Sequence, residues 1–239
     1  MCAFMRPSAL LVVIAFMSFV SIGCDGDGDG TEKEAQVLDT ESETVLDTIS
    51  DAAGASMRVR GLTGVELFYD DGVIDQRNSP WSERTGGQLA VAFTPASYPV
   101  TIEKVSFYVG ANGIPTKAFR VRVYPGDRAD GPREQDLLDT EVVAAADHAN
   151  QWVVVDMTAH DIIITEGDFF VAMEWLTPPG NYGTRAQMLG ADTTDPDRRS
   201  WWKHYPDSDW VRIEEISDDG DRDLMIRATV LEGNASDLQ

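Results

Sequence analysis

Cysteine is almost missing from this chain: it has two, Cys2 and Cys24, and none beyond. The rest of the chain has no thiol to cross-link, to ligate a soft metal or to act as a nucleophile, so its stability must come from its own core. Histidine is equally sparse. His148, His160 and His204 are not spaced as a metal pair on one helix or strand. There is no Gly-x-Ser-x-Gly elbow and no His-Glu-x-x-His. Basic residues are few: 19 Lys and Arg stand against 41 Asp and Glu, a formal net charge of -22. Phosphate backbones are held by Lys and Arg, so nucleic acid is excluded as a natural partner. Acidity of this size favours cations or basic partners. It also makes carboxylate pairs uninformative, because among so many acids some pair always falls at a glycosidase-like separation. Nothing marks a catalytic site, and the expectation is a non-enzyme.

A long apolar run occurs at the start of the chain. From Ala9 to Val20 the sequence ALLVVIAFMSFV is broken only by Ser18, and Arg6 precedes it. The run is shorter than the roughly 20 residues needed to span a bilayer. Small residues and a cysteine follow, Ser21-Ile-Gly23-Cys24. This order resembles a bacterial lipobox, with Ser21 where Leu is commonest. The resemblance implies a signal peptide over residues 1–23, lipidation of the Cys24 thiol, cleavage before it and acylation of the new N-terminus. It further implies a lipid anchor at the bacterial cell envelope. Asp25 would direct inner-membrane retention in enteric bacteria, a rule that does not extend to all bacteria, so the choice of membrane stays open. Cleavage removes Arg6 and no acid, taking -22 to -23. A mature chain so acidic is not expected on anionic lipid except through its acyl chains.

Residues 24–57 are rich in acid, Thr and Ser and hold no aromatic residue. Such a segment buries too little apolar surface to offset its ordering entropy, so a flexible acidic tether is expected. Asp25-x-Asp-x-Asp-Gly30 matches half of a calcium loop, but Gln36 stands where the closing acid belongs. Leu38, Val45 and Ile49 form a weak helical stripe.

Residues 58–232 read as one domain, with 233–239 as a tail. Short β-type runs are split by Gly, Pro, Asn and Asp, and no long pattern of period 3.6 appears. The expected strands are 65–69, 89–93, 100–109, 118–124, 139–144, 151–156, 162–165, 168–176, 185–189, 200–203, 211–214 and 224–231. In 119–123, Phe119, Val121 and Val123 face one way while Arg120 and Arg122 face the other. Phe169, Val171, Met173 and Trp175 share a face, and Phe170 with Ala172 leaves the other face apolar too. Turn signals such as Asp71-Gly72, Pro125-Gly126 and Asp219-Gly220 separate the strands. So many short strands predict an all-β fold, a jelly-roll-like antiparallel β-sandwich.

The succession Phe68-Tyr-Asp-Asp-Gly72, Leu89-Ala-Val-Ala-Phe-Thr-Pro95, Lys104-Val-Ser-Phe-Tyr108, Trp152-Val-Val-Val-Asp156 and Asp223-Leu-Met-Ile-Arg-Ala228 resembles β-sandwich accessory domains of secreted myxobacterial and Bacteroidetes proteins. Those domains accompany peptidase, adhesion or sorting domains. The resemblance implies a fold and carries no catalytic residue.

Two constellations remain as candidate sites. No motif requires a cofactor, and calcium is the ion that acidic loops suit. Asp218, Asp219, Asp221 and Asp223 precede the last strand, and Asp70 and Asp71 would join them if the first and last strands pair. Asp192, Asp195 and Asp197 form a weaker cluster. The alternative reading is a solvated acidic turn with Arg222 as partner. The second constellation is aromatic: Trp201, Trp202, Tyr205 and Trp210 lie amid Asp, Lys and Pro, with Tyr182 in a nearby Pro-Gly loop. Such rings suit a sugar or a protein hot spot, or they fill a second small core. Adjacent Trp201 and Trp202 must face opposite ways on a strand, one inward and one outward. Trp81 and Trp152 are expected to be packing residues. The expected function is a lipid-anchored, non-catalytic binding or structural module of the envelope, with an envelope protein or polysaccharide as partner. The alternative is a carbohydrate-binding module using the aromatic loop.

Overall fold

The computed structural model describes residues 64–111, 113–180, 185–216 and 220–232. These residues form fifteen strands: β1 (Gly64–Leu67), β2 (Gln76–Asn78), β3 (Gln88–Phe93), β4 (Val100–Gly110), β5 (Phe119–Asp127), β6 (Gly131–Pro132), β7 (Val142–Ala144), β8 (Gln151–Asp156), β9 (Ile163–Ile164), β10 (Asp168–Trp175), β11 (Met188–Asp192), β12 (Ser200–Lys203), β13 (Trp210–Arg212), β14 (Asp223–Leu224) and β15 (Ile226–Glu232). A 3-10 turn, Thr158–His160, follows β8, and a single-turn helix α1, Ile213–Ile216, follows β13. The signal peptide, Cys24, the tether and the tail lie outside the described residues.

The fold is all-β, as expected. The first sheet runs β1-β15-β4-β11-β14, with β8 and β9 also on β4 and β2 on β11. The second runs β13-β12-β3-β10-β5-β6, with β7 on β5. Among the described residues every strand pair is antiparallel. The longer strands alternate between the sheets: β3 in the second, β4 in the first, β5 in the second, β8 in the first, β10 in the second and β11 in the first. Successive strands therefore cross the sandwich instead of forming hairpins within a sheet, which is jelly-roll-like.

The period of two decides which atoms meet between the sheets. Val105 and Phe107 of β4, with Ile102 on the other side of a β-bulge that shifts the alternation by one, face Phe119, Val121 and Val123 of β5 and Phe169, Val171 and Met173 of β10, all buried in one cluster. Phe93 stacks on Phe169 at 5.4 Å and Phe107 meets Phe119 edge-on at 5.1 Å. Trp175, fully buried, donates its indole N–H to the Gln187 carbonyl at 2.9 Å, which satisfies its polar atom. Each such side chain contributes about 1.5–3 kcal/mol on burial.

The departures from the sequence pattern are local. β2 and β6 are too short to show a pattern, and β2 is wholly polar. Of 211–214 only the start is strand, because Ile213-Glu-Glu-Ile216 turns into α1 and its first Ile is buried. Trp152 is not a core residue. It lies on the outward side of β8, edge-on to Tyr108 at 5.4 Å, while Val153 and Val155 pack inward. Trp81 is likewise not a core residue, since it is 59 % exposed.

Candidate functional site

The outer face of the second sheet is organised in rows by register. One row reads Val143, Arg120, Glu174, Gln88, Lys203 and Trp210 across five strands of the sheet and β7. The next reads Arg122, Ala172, Ala90, Trp201 and Arg212. Tyr124, Phe170 and Ala92 follow. The alanines leave space above the sheet that large rings fill. Ala90, Ala92, Ala172, Tyr124, Phe170 and Trp201 form a second buried cluster with Trp210 packed against it. Phe170 meets Trp201 at 6.2 Å, and Tyr124 meets Trp210 at 5.9 Å, both edge-on. Gly131 (φ +93°) closes over Trp201, and a Cβ there would come within 2.7 Å of the indole. Only glycine fits that approach and that backbone.

The aromatic constellation is therefore divided. Trp201 is 4 % exposed in the outer cluster, and the Arg212 guanidinium lies 5.0 Å above its ring. Trp202 points the other way and packs on the main core, half-buried. The opposed facing is as expected, but the outward tryptophan is covered, because Tyr124, Trp210 and the 127–132 turn close over it. Trp210 remains half-exposed beside Lys203, whose ammonium sits 5.8 Å from its ring. Tyr205 is carried away from these to the loop beyond β12. Tyr182 lies outside the described residues.

Tyr205 meets a loop that the sequence did not mark. Segments 79–87 and 204–209 adjoin at the end of the sandwich where β3 begins and β12 ends. Gly87 permits the approach: a Cβ there would fall 2.7 Å from Pro80 and 2.8 Å from the His204 carbonyl. The Arg84 guanidinium lies 4.9 Å over the Tyr205 ring, and its Nη1 is 3.4 Å from Asp207. His204 is edge-on to Tyr205 at 4.0 Å, and burial lowers its pKa. The 79–87 loop is tied down. Gly86 N–H donates to the Trp175 carbonyl at 2.8 Å and Trp175 N–H to that of Gly87 at 3.0 Å. Gly180 N–H donates to the Ser82 carbonyl at 2.9 Å, and Arg84 N–H donates to Ser82 Oγ at 2.9 Å. Trp81 stands exposed on this fixed loop.

At the same end of the outer face lies a polar groove of about 310 Å³, lined by Arg120, Arg122, Asp136, Asp139, Thr140 and Glu141. Glu174 fixes both arginines: Arg120 Nη1 donates to Oε1 at 2.7 Å and Arg122 Nε to Oε2 at 2.6 Å. Arg122 Nη1 also donates to Asp136 at 2.8 Å, and Arg120 Nε and Nη2 to Glu141 at 2.9 and 2.6 Å. Glu174 is only 7 % exposed. A carboxylate buried that deeply needs such partners. The signal was present in the sequence as a lone Glu near the end of the apolar run Phe169-Phe-Val-Ala-Met-Glu-Trp175.

The acidic constellation is brought together only in part. β1 does pair with β15, so the first and last strands are neighbours. Asp71 N–H donates to Asp192 Oδ2 at 2.9 Å, and Asp192 is opposite Asp223. Each of the described carboxylates, however, already has an internal partner, although Asp221 Oδ2 is buried without one. Asp70 is ion-paired with Arg227 at 2.6 Å. Asp71 accepts the Val73 N–H at 2.7 Å. Asp223 accepts the Asp197 N–H at 3.1 Å, and Asp221 accepts the Arg222 N–H at 2.8 Å. Burial pushes the Asp223 carboxyl up to about 7, with Asp197, Asp221 and Asp192 adding to the shift. Arg222 does not sit in a solvated turn: it is buried and bonded to Gln76, Asn78 and the Gly220 carbonyl. Among the described residues no group of three or more His, Cys, Asp or Glu is arranged to hold a metal ion. Asp218 and Asp219 lie outside the described residues.

No family model matches the chain, and no curated protein matches it. Among solved structures the chain is similar to the cysteine protease and lectin-like domains of Cwp84, a surface layer associated protein of Clostridium difficile, at 13% identity and a TM-score of 0.48. The match covers 62% of this chain and 33% of that one, so the chain spans about a third of the length of that structure.

Proposed function

We propose that the chain is a non-catalytic binding module of the bacterial cell envelope, a β-sandwich held on a lipid anchor at Cys24 by the 24–57 tether. The anchor reading is supported by the order Arg6, apolar run, small residues, Cys24. The observation that carries the binding reading is Trp81, 59 % exposed on a loop pinned by backbone hydrogen bonds beside Tyr205 and Arg84. A large ring held outward on a rigid loop loses little entropy when a ligand covers it, and such rings are the usual anchors of interfaces. An envelope protein or polysaccharide is the partner class.

Two experiments test this reading. Palmitate labelling in cells is expected for the wild-type chain and lost in Cys24→Ser. The full chain in detergent is expected to co-sediment with isolated envelope fractions, and Trp81→Ala to lose at least tenfold in that affinity with its circular dichroism unchanged. Undiminished sedimentation of Trp81→Ala would mean that the exposed ring on the 79–87 loop does not contact the partner. The carbohydrate reading is favoured over a protein partner by one observation, the hydrogen-bonding groove at the same end of the outer face.

A further inference from the structure

We infer that the groove between Arg120 and Arg122 and the 136–141 segment is a binding site for a neutral saccharide. The inference rests on the binding-module reading and moves the site away from the aromatic loop to a surface of fixed donors and acceptors.

The geometry comes first. Glu174 holds two guanidinium groups side by side on one sheet face, with Asp136 and Glu141 on their far sides. Donor and acceptor groups thus alternate along the wall of the groove, the arginines of β5 held by Glu174 of β10 on one side and by the 136–141 segment on the other. A sugar hydroxyl both donates and accepts, and a vicinal diol presents two such groups together. Carboxylate oxygens take the hydroxyl protons and guanidinium N–H groups cap the hydroxyl oxygens. Because the wall is already held by buried Glu174, little side-chain freedom remains to be lost on binding.

Charge then selects within the saccharides. Arg120 and Arg122 contribute two positive charges to the lining, and Asp136, Asp139 and Glu141 three negative ones, a local balance of 2 − 3 = −1, with buried Glu174 beneath adding one more negative charge. A uronate, sulfate or phosphate meets a net repulsion in the groove and in the whole chain, which carries -22. A neutral sugar does not.

Size agrees. The groove, about 310 Å³, sits at the lower end of the roughly 300–1,000 Å³ typical of small-ligand sites. The row that begins at Arg120 continues through Gln88 and Lys203 to Trp210, four strand steps or roughly 19 Å at about 4.8 Å each. Half-exposed Trp210 offers an aromatic surface at its far end. The row between them is closed, since Glu174 and Gln88 are each only 7 % exposed, so the saccharide is confined to the groove.

The test is calorimetry on the full chain in detergent, with cellohexaose, maltohexaose, mannohexaose and xylohexaose as neutral probes and hexagalacturonate as the acidic one. At least one neutral probe is expected to bind and hexagalacturonate not. Glu141→Gln is expected to weaken binding at least tenfold. Glu141 is the position of choice because its side chain is 54% exposed and its loss leaves the fold intact, whereas Glu174→Gln risks unfolding. Val154→Ser, on the other sheet, is the control and keeps wild-type affinity. Neutral-probe binding that survives Glu141→Gln but is lost in Trp81→Ala overturns the groove and leaves the binding module standing. Preference for hexagalacturonate overturns the ligand class. Silence from every probe overturns the saccharide site, while envelope sedimentation still decides the module.

Discussion

Arg227 donates through Nη2 to Asp70 Oδ1 at 2.6 Å and through Nε to Oδ2 at 3.2 Å, and the Asp70 side chain has no exposed surface. The guanidinium is clamped between two rings, 4.8 Å from Phe68 and 4.5 Å from Trp152. Removing it leaves a buried carboxylate without its counter-charge. Arg227→Ala is therefore expected to cost about 3–5 kcal/mol. Arg227→Lys keeps the charge but loses the planar fork and the stacking, and should fall between the variant and the wild type. Urea unfolding followed by circular dichroism measures both. Equal stability of all three proteins would mean that Asp70 finds another partner.

The second cluster on the outer face makes a different prediction. Trp201 fills the space over Ala90 and Ala172, so Trp201→Ala opens a cavity and should cost about 3–5 kcal/mol. Gly131→Ala drives a methyl into the same indole and strains a φ of +93°, and is expected to destabilise by about 1–3 kcal/mol. Trp81→Ala, on an exposed loop, should stay within about 1 kcal/mol of wild type. Thermal melts of the three variants give the order. A Trp201→Ala protein as stable as Trp81→Ala would show that the outer cluster contributes nothing to the fold.

This contrast also shows what the sequence could disclose. Phe119, Val121 and Val123 opposite Arg120 and Arg122 state a half-buried strand by themselves, because side-chain direction follows from a period of two. Phe170 and Ala172 stated equally well that the other face of β10 is covered. What covers it depends on contacts distant in sequence: Trp201, Trp210 and the 127–132 turn arrive from elsewhere in the chain. The same holds for Trp81. Its Ser-Pro setting reads as a turn before a core residue, and bonds from Gly86 and Gly180 to distant partners fix the loop on which it is 59 % exposed. The groove was harder still, since Arg120, Glu174 and Asp136 belong to β5, β10 and the segment before β7, and nothing local in any of them points to the others.

Tyr124 carries a testable polar contact within that cluster. Its hydroxyl donates to Gln88 Oε1 at 2.9 Å, both residues being buried. Tyr124→Phe leaves the Gln88 amide without this partner and should cost about 1–3 kcal/mol. Burial pushes the Tyr124 phenol up to about 12. The neutral form is thus favoured by folding, and its contribution is present below the ordinary phenol value of 10.0 and lost as pH rises through about 12. Burial raises Tyr69 and Tyr98 as well, so ultraviolet titration should show several tyrosines ionising late, and Tyr124→Phe should remove the step at about 12. An unchanged titration would assign the late step to another tyrosine.

The last prediction concerns pH in the acid-to-neutral range. The Asp223 carboxyl is pushed up to about 7, first by burial and then by Asp197, Asp221 and Asp192 around it, against the hydrogen bond from the Asp197 N–H. The folded-state value lies above the ordinary aspartate value of 3.8, so folding favours the protonated acid. The stability it contributes is fully present below 3.8 and is lost as pH rises through about 7. Asp75 and Asp156 are shifted the other way by their hydrogen bonds to Thr193 and Thr158, so their contribution is lost only at more acid pH. His204, lowered by burial, opposes Asp223 within the window, but it is unchanged when a variant is compared with wild type at each pH. Asp223→Asn keeps an oxygen for the Asp197 N–H and cannot ionise. Its melting temperature should lie near wild type at pH 5 and above it at pH 8. A gap that is the same at both pH values would mean that Asp223 does not titrate between them, and that the cluster holds its charge at the end of β11 without cost to the fold.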